Sequence, residues 1–298
     1  MVRARVLHSI LNEDPMSGRL VVLLLVLSTC LVVASSQTNE GNPDLVLGIQ
    51  AYKNAKYEEA VQHLERAVAG EPGNVQAHFY LASAFAQQYI PGSDQVSNVQ
   101  LGNAATREYE KVLELDSVNL EALKGAAQLS FNMKDFDQAK QFWSRAIEID
   151  PKDPEPYYSI AVVEWTLTYQ PRMEQRAKLK LTPEQAMIFA TECWAVRQAN
   201  WGRVADGIEI LKKAIDLRRD YDDAMAYMNL MYRERGDIQC GDPRAREADL
   251  RMADSWVDLT LAIKKQKAEK VESQQRRKLK EGQQGNITVE FSTESNPQ

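Results

Sequence analysis

Residues 125–153 read GAAQLSFNMKDFDQAKQFWSRAIEIDPKD, and their spacing decides the fold. Ala139, Trp143 and Ala146 stand at i, i+4 and i+7, so they share one face of a helix. Ala126, Ala127 and Ser130 do the same on a helix before it, with a polar residue at the last place. Pro151 cannot continue the second helix and restricts its predecessor, so the chain turns there. Small residues where two antiparallel helices cross allow close approach, and a bulky residue one turn on fills the groove. This stretch therefore reads as a helical hairpin.

The same spacing recurs twice upstream. In LGIQAYKNAKYEEAVQHLERAVAGEPGN, residues 47–74, the first helix carries Leu47, Gly48 and Ala51 and the second Ala60, Leu64 and Ala67, closed by Pro72. The middle unit has Leu81, Ala82 and Phe85, then Ala105, Tyr109 and Val112, with Ser117 where its neighbours have Pro. One such helix would mean little, but three in register define a repeat. Its residues and period resemble the tetratricopeptide repeat family, whose period is about 34 residues. The expected fold is all-α, a right-handed superhelical solenoid of antiparallel hairpins with about five repeats.

Departures from the period mark irregular regions. The second unit holds an insertion, residues 89–100, expected as a loop that lengthens the hairpin turn. A fourth first helix starts near Pro156, but its partner, with Gly207, Leu211 and Ala214, comes only after residues 165–200. Pro171 is expected to break the fourth helix. Thr182-Pro183-Glu184-Gln185 resembles a capping box with Pro at the first helical position, predicting a helix through Trp194. A fifth pair is expected at residues 222–236 and from Ala245 to about Lys265, so the fourth and fifth repeats are irregular.

In the family resembled, first helices line a concave face that binds peptides. Carried over by register, the expected binding residues are Phe79, Ser83, Lys124, Gln128, Phe131, Tyr158, Val162 and Trp165. Aromatic anchors beside an amide and one Lys suit a partner segment with apolar side chains and exposed main chain. An alternative role for Tyr158 and Trp165 is to cover the insertion. Leu45 and Ile49 stand where some members carry a Lys-Asn clamp for a C-terminal carboxylate, so that clamp is absent from the first repeat.

The front of the chain reads as an export signal. Arg3, Arg5 and Arg19 precede a run, residues 20–33, that is apolar apart from Ser28, Thr29 and Cys30, and Ala34-Ser35-Ser36 follow. Positive, apolar, then small is the order of a secretory signal, and the run is short of the roughly 20 residues needed to span a bilayer. Residues 1–36 are assigned to it, with Met16 as an alternative start and a retained anchor as an alternative fate. Cys30 also sits in a sequence resembling a lipobox, although Thr29 and the continuing apolar run depart from that pattern. A periplasmic address is expected.

Removing the signal would leave Cys193 and Cys240 as the two remaining cysteines, and in an oxidising compartment they are expected to pair; the alternative is two thiols too far apart to bridge. Residues 37–265 form the expected repeat domain. Residues 266–298 form an expected disordered tail, basic at first, with Ile287 to Phe291 alternating like a strand. The basic stretch could meet anionic lipid. Asn286-Ile287-Thr288 also fits a glycosylation acceptor pattern.

A formal charge of −6 over 298 residues argues against nucleic-acid binding. The three His, His8, His63 and His78, form no metal-binding pattern with the cysteines, and no metal or cofactor is expected. No phosphate loop, dinucleotide fingerprint or nucleophile elbow occurs. Glu164 falls on a core-facing position of the fourth first helix, with Arg172 or Arg176 as its expected partner. It is the one candidate acid or base. The leading expectation is a non-catalytic scaffold that binds a protein or peptide. The alternatives are an envelope assembly factor using its basic tail at a membrane, and an enzyme built around Glu164.

Overall fold

A computed structural model describes residues 42–182 and 185–293, with side chains through residue 278. The expected export signal, residues 1–36 with Met16 and Cys30, lies outside the described residues, as do the middle residues of the Thr182–Gln185 motif. Among the described residues ten α-helices follow in order: α1 Pro43–Lys53, α2 Tyr57–Gly70, α3 Val75–Gln88, α4 Val96–Leu115, α5 Leu120–Asn132, α6 Phe136–Ile149, α7 Pro154–Lys178, α8 Cys193–Leu217, α9 Asp222–Asp237 and α10 Pro243–Thr293. A short 3₁₀ turn, Met187–Phe189, precedes α8. Successive helices pair as hairpins that stack into an all-α superhelical solenoid.

The repeat positions lie inside. Ala60, Leu64, Ala67, Ala105, Tyr109, Val112, Ala139, Trp143, Ala146, Leu211 and Ala214 are all buried. Full burial of a side chain such as Leu64 contributes about 1.5–3 kcal/mol. Ser130, the polar residue at a core position, is satisfied because its hydroxyl donates to the Ala126 carbonyl at 2.9 Å. Leu47 departs from the expectation: it is 47% exposed, whereas its counterpart Leu81 is 3% exposed. Leu81 meets the preceding hairpin, and among the described residues none precedes α1.

Side chains of the connecting segments start the helices. Asn74, Asn119, Asp135 and Asp153 each accept a hydrogen bond from a first-turn amide. Three first helices end in the same turn. Ala55, Lys134 and Lys180 take left-handed φ of 57°, 64° and 54°. In each case the next amide reaches back five residues: Lys56 to Ala51, Asp135 to Ser130 and Leu181 to Arg176.

This turn corrects the reading of the insertions. α7 passes through Pro171 and closes only at Lys180, and α8 already begins at Cys193, so the extra residues of the fourth repeat lengthen both of its helices. Pro171 removes a donor from the ladder, and Asn200 Nδ2 donates to the Thr168 carbonyl in the preceding turn at 3.0 Å. No helix starts at the expected capping box. The Thr182 amide does donate to Gln185 Oε1 at 2.8 Å, but the chain runs on through the 3₁₀ turn to α8. The second-repeat insertion is likewise only partly loop, because α4 begins at Val96. Buried Asn98 ties that loop down, accepting from the Ile90 amide at 2.7 Å and donating to the Ile90 and Ser93 carbonyls.

The expected boundary at residue 265 is absent. α10 continues as one helix to Thr293, through the stretch expected to be disordered and through the expected strand at 287–291. Lys, Arg, Glu and Gln are strong helix formers. An i,i+4 pair between Glu272 and Arg276 adds to this, and Lys267 donates to Asp222 of α9 at 2.5 Å.

Candidate protein-binding groove

Between α5 and α7, with Trp143 of α6 at the base, lies a cavity of about 200 Å³ lined by Gln128, Phe131, Trp143, Tyr158, Ser159 and Val162. Four of the residues picked from the repeat register, Gln128, Phe131, Tyr158 and Val162, therefore come together here. Phe131 packs against Phe136 and Trp143 with ring centroids 5.6 and 6.2 Å apart. Gln128 stays exposed, its amide donating to Asn132 at 3.1 Å. The result is an apolar notch with a hydrogen-bonding amide at its edge.

An aromatic row leads away from the notch. Tyr158 meets Tyr221 at 5.1 Å and Tyr227 at 5.5 Å. Tyr227 stands edge-on to Trp165 at 5.5 Å, and Trp165 lies 4.8 Å from Tyr169. The row ends where the Arg172 guanidinium sits over the Tyr169 ring. Burial pushes the Tyr221 phenol up to about 12 and raises those of Tyr158 and Tyr227 as well. The sequence reading missed Tyr169, Tyr221 and Tyr227. Tyr169 lies on the extra turns of α7, and Tyr221 and Tyr227 are set against α7 by the packing of α9, which no local spacing announces.

The remaining expected residues lie elsewhere. Ser83 is buried, its hydroxyl donating to the Phe79 carbonyl at 2.8 Å and paired with the Tyr109 hydroxyl at 3.2 Å, so it is not a surface contact. Phe79 packs against Tyr80 and Tyr109. Lys124 is tied to Asp153 at 3.0 Å and Glu155 at 2.5 Å. Burial works against its charge, but the hydrogen bonds it donates to Glu155 and Asp153 outweigh that and raise the ammonium to about 12.

Glu164 has partners other than those expected. Its carboxylate accepts from Lys140 of α6 at 2.8 Å and Arg203 of α8 at 3.0 Å. Arg172 instead reaches Glu234 at 2.7 Å and Asp237 at 2.6 Å, and Arg176 reaches Asp237 at 2.9 Å. Both Glu164 oxygens are thus engaged in holding three hairpin helices together. Cys193 and Cys240 form a disulfide in the structure, with Cα atoms 5.8 Å apart. It joins the start of α8 to the α9–α10 turn. Among the described residues no cluster of His, Cys, Asp and Glu could hold a metal ion, and no helix is long and apolar enough to cross a membrane.

Hairpins of this size stacked in register define a helical repeat solenoid. Residues 45–92 and residues 102–161 each match a tetratricopeptide repeat family model, so the chain carries tetratricopeptide repeats over these residues. Its fold is similar to a crystal structure of MamA, with a TM-score of 0.50 at 15% identity, covering 75% of this chain and 97% of that one. A second crystal structure of MamA protein gives 0.50 at 16% identity, covering 76% and 92%. At such identity the likeness speaks to the fold alone. No curated protein sequence matches the chain.

Proposed function

We propose that this protein is a non-catalytic scaffold that binds a segment of another protein along the groove between α5, α7 and α9. The carrying observation is the cavity of about 200 Å³ lined by Gln128, Phe131, Tyr158 and Val162, continued by the tyrosine and tryptophan row. Aromatic side chains that keep one face open supply contact area at low entropic cost, and a partly buried notch accepts an apolar anchor. The exposed Gln128 amide can pair with the main chain of an extended segment. Tetratricopeptide repeats elsewhere serve protein binding, which supports the same reading. The proposed site of action is outside the cytoplasm, a reading that the Cys193–Cys240 disulfide and the signal-like order of residues 1–36 support.

Gln128→Arg/Val162→Arg tests the groove. Both positions can send a long charged side chain out to water while blocking the notch, without removing an aromatic from the core. A protein retained from native extract by wild type and lost by this variant, with helicity unchanged, is the expected result. Equal retention of the same proteins by both would sink the reading.

A further inference from the structure

A second cavity, about 590 Å³, opens beyond the end of the aromatic row, between α7, α9 and the first turns of α10. Arg172, Arg176, Arg233 and Arg246 all line it, with Asp237 the one carboxylate among the described residues of its wall. The carboxylates around it are already engaged. Asp237 pairs with Arg172 and Arg176, Asp254 with Arg233, Asp249 with Arg235, and Glu247 with Arg251. Arg246 pairs with none of them, and its Nε is buried with no hydrogen-bond acceptor among the described residues.

Four guanidinium groups and one carboxylate line the described wall, so the cavity carries an excess of positive charge that attracts an anion. A guanidinium presents a planar fork that matches a carboxylate or phosphate bidentately. The volume falls in the range of ligand pockets. We infer that this cavity binds an oxyanion, a carboxylate or a phosphate group, with Arg246 as its principal ligand. The inference stands apart from the groove, because it rests on Arg246 and not on the notch.

Isothermal titration of the full chain at low ionic strength tests it, with inorganic phosphate and, separately, a blocked tetraglutamate peptide as probes. Saturable binding of one or both is expected. Arg246→Gln should weaken it by at least about tenfold, and Gln128→Arg/Val162→Arg should leave it unchanged. Phosphate binding alone identifies a free anion as the ligand; peptide binding alone identifies a carboxylate borne on a protein. With no anion present, Arg246→Gln should leave Tm unchanged or higher, since no internal pair is lost. The inference is overturned if neither probe saturates wild type, if Arg246→Gln binds within about twofold of it, or if Arg246→Gln lowers Tm.

Discussion

Lys140 Nζ lies 2.8 Å from Glu164 Oε1, joining α6 of the third hairpin to α7 of the fourth, while Arg203 of α8 takes the other oxygen. The carboxylate is 7% exposed, so its charge is held in the fold by these two cations. Glu164→Gln leaves both cations facing a neutral amide. Removing one member of a buried pair costs about 3–5 kcal/mol, but Lys140 and Arg203 remain partly exposed and can rehydrate. The expected loss is about 1–3 kcal/mol in urea unfolding, with partner binding retained. An unchanged stability would remove the bridge from the account of how the third and fourth hairpins adhere.

Glu234 gives the fold a pH dependence of defined sign. Burial raises its pKa above 4.5, and the Arg172 hydrogen bond opposes this without cancelling it. A carboxyl raised in the folded state favours folding when protonated. Its contribution is therefore complete below about 4.5, the unfolded value, and is lost as pH rises through the higher folded value. Wild type measured against Glu234→Gln should lose relative stability across that interval. A difference that does not vary with pH in urea melts would refute the assignment.

Lys134 holds a left-handed φ of 64° without being glycine, a conformation costing an L-residue roughly 1–2 kcal/mol. Lys134→Gly removes that cost and adds unfolded-chain entropy worth about 0.5–1 kcal/mol in the other direction. The net expectation is a gain of up to about 1 kcal/mol, whereas the same change in mid-helix would destabilise. Thermal melts of Lys134→Gly beside wild type decide this, and a lower Tm would contradict it.

The disulfide links residues 47 apart. In the chain-entropy model a loop of that length contributes about 4 kcal/mol at 25 °C. Cys193→Ser/Cys240→Ser should lower unfolding free energy by an amount of that order, and wild type under reductant should behave like the double variant. Equal stability of oxidised and reduced wild type would count against the bridge.

The core was legible because its information is local. Ala139, Trp143 and Ala146 declare their shared face by spacing alone, and the same holds for Ala60, Leu64 and Ala67. Leu47 was misread because burial depends on what stacks against a helix, which spacing does not contain. Pro171 looked like a stop, but Asn200, 29 residues on, reaches the turn it disturbs. Half of the expected binding residues, Gln128, Phe131, Tyr158 and Val162, meet in one cavity because register carries across repeats. Ser83 turned inward through a hydrogen bond to Tyr109 from the neighbouring helix, and Tyr221, just before α9, and Tyr227 on it joined the row through tertiary packing. Glu164 stood out as a buried charge, but the repeat pattern brings α6 and α8 near it without singling out Lys140 and Arg203 as its partners.

The bond between Cys193 and Cys240 has a mechanical consequence. Tension applied along the chain enters at one sulfur and leaves at the other, so most of α8 and all of α9 bear none of it. About 160 Å of extended backbone is thereby withheld from stretching. Pulled from its two ends, the solenoid would pay out chain from the hairpins before α8 and from α10, while the enclosed segment kept its contour until reduced.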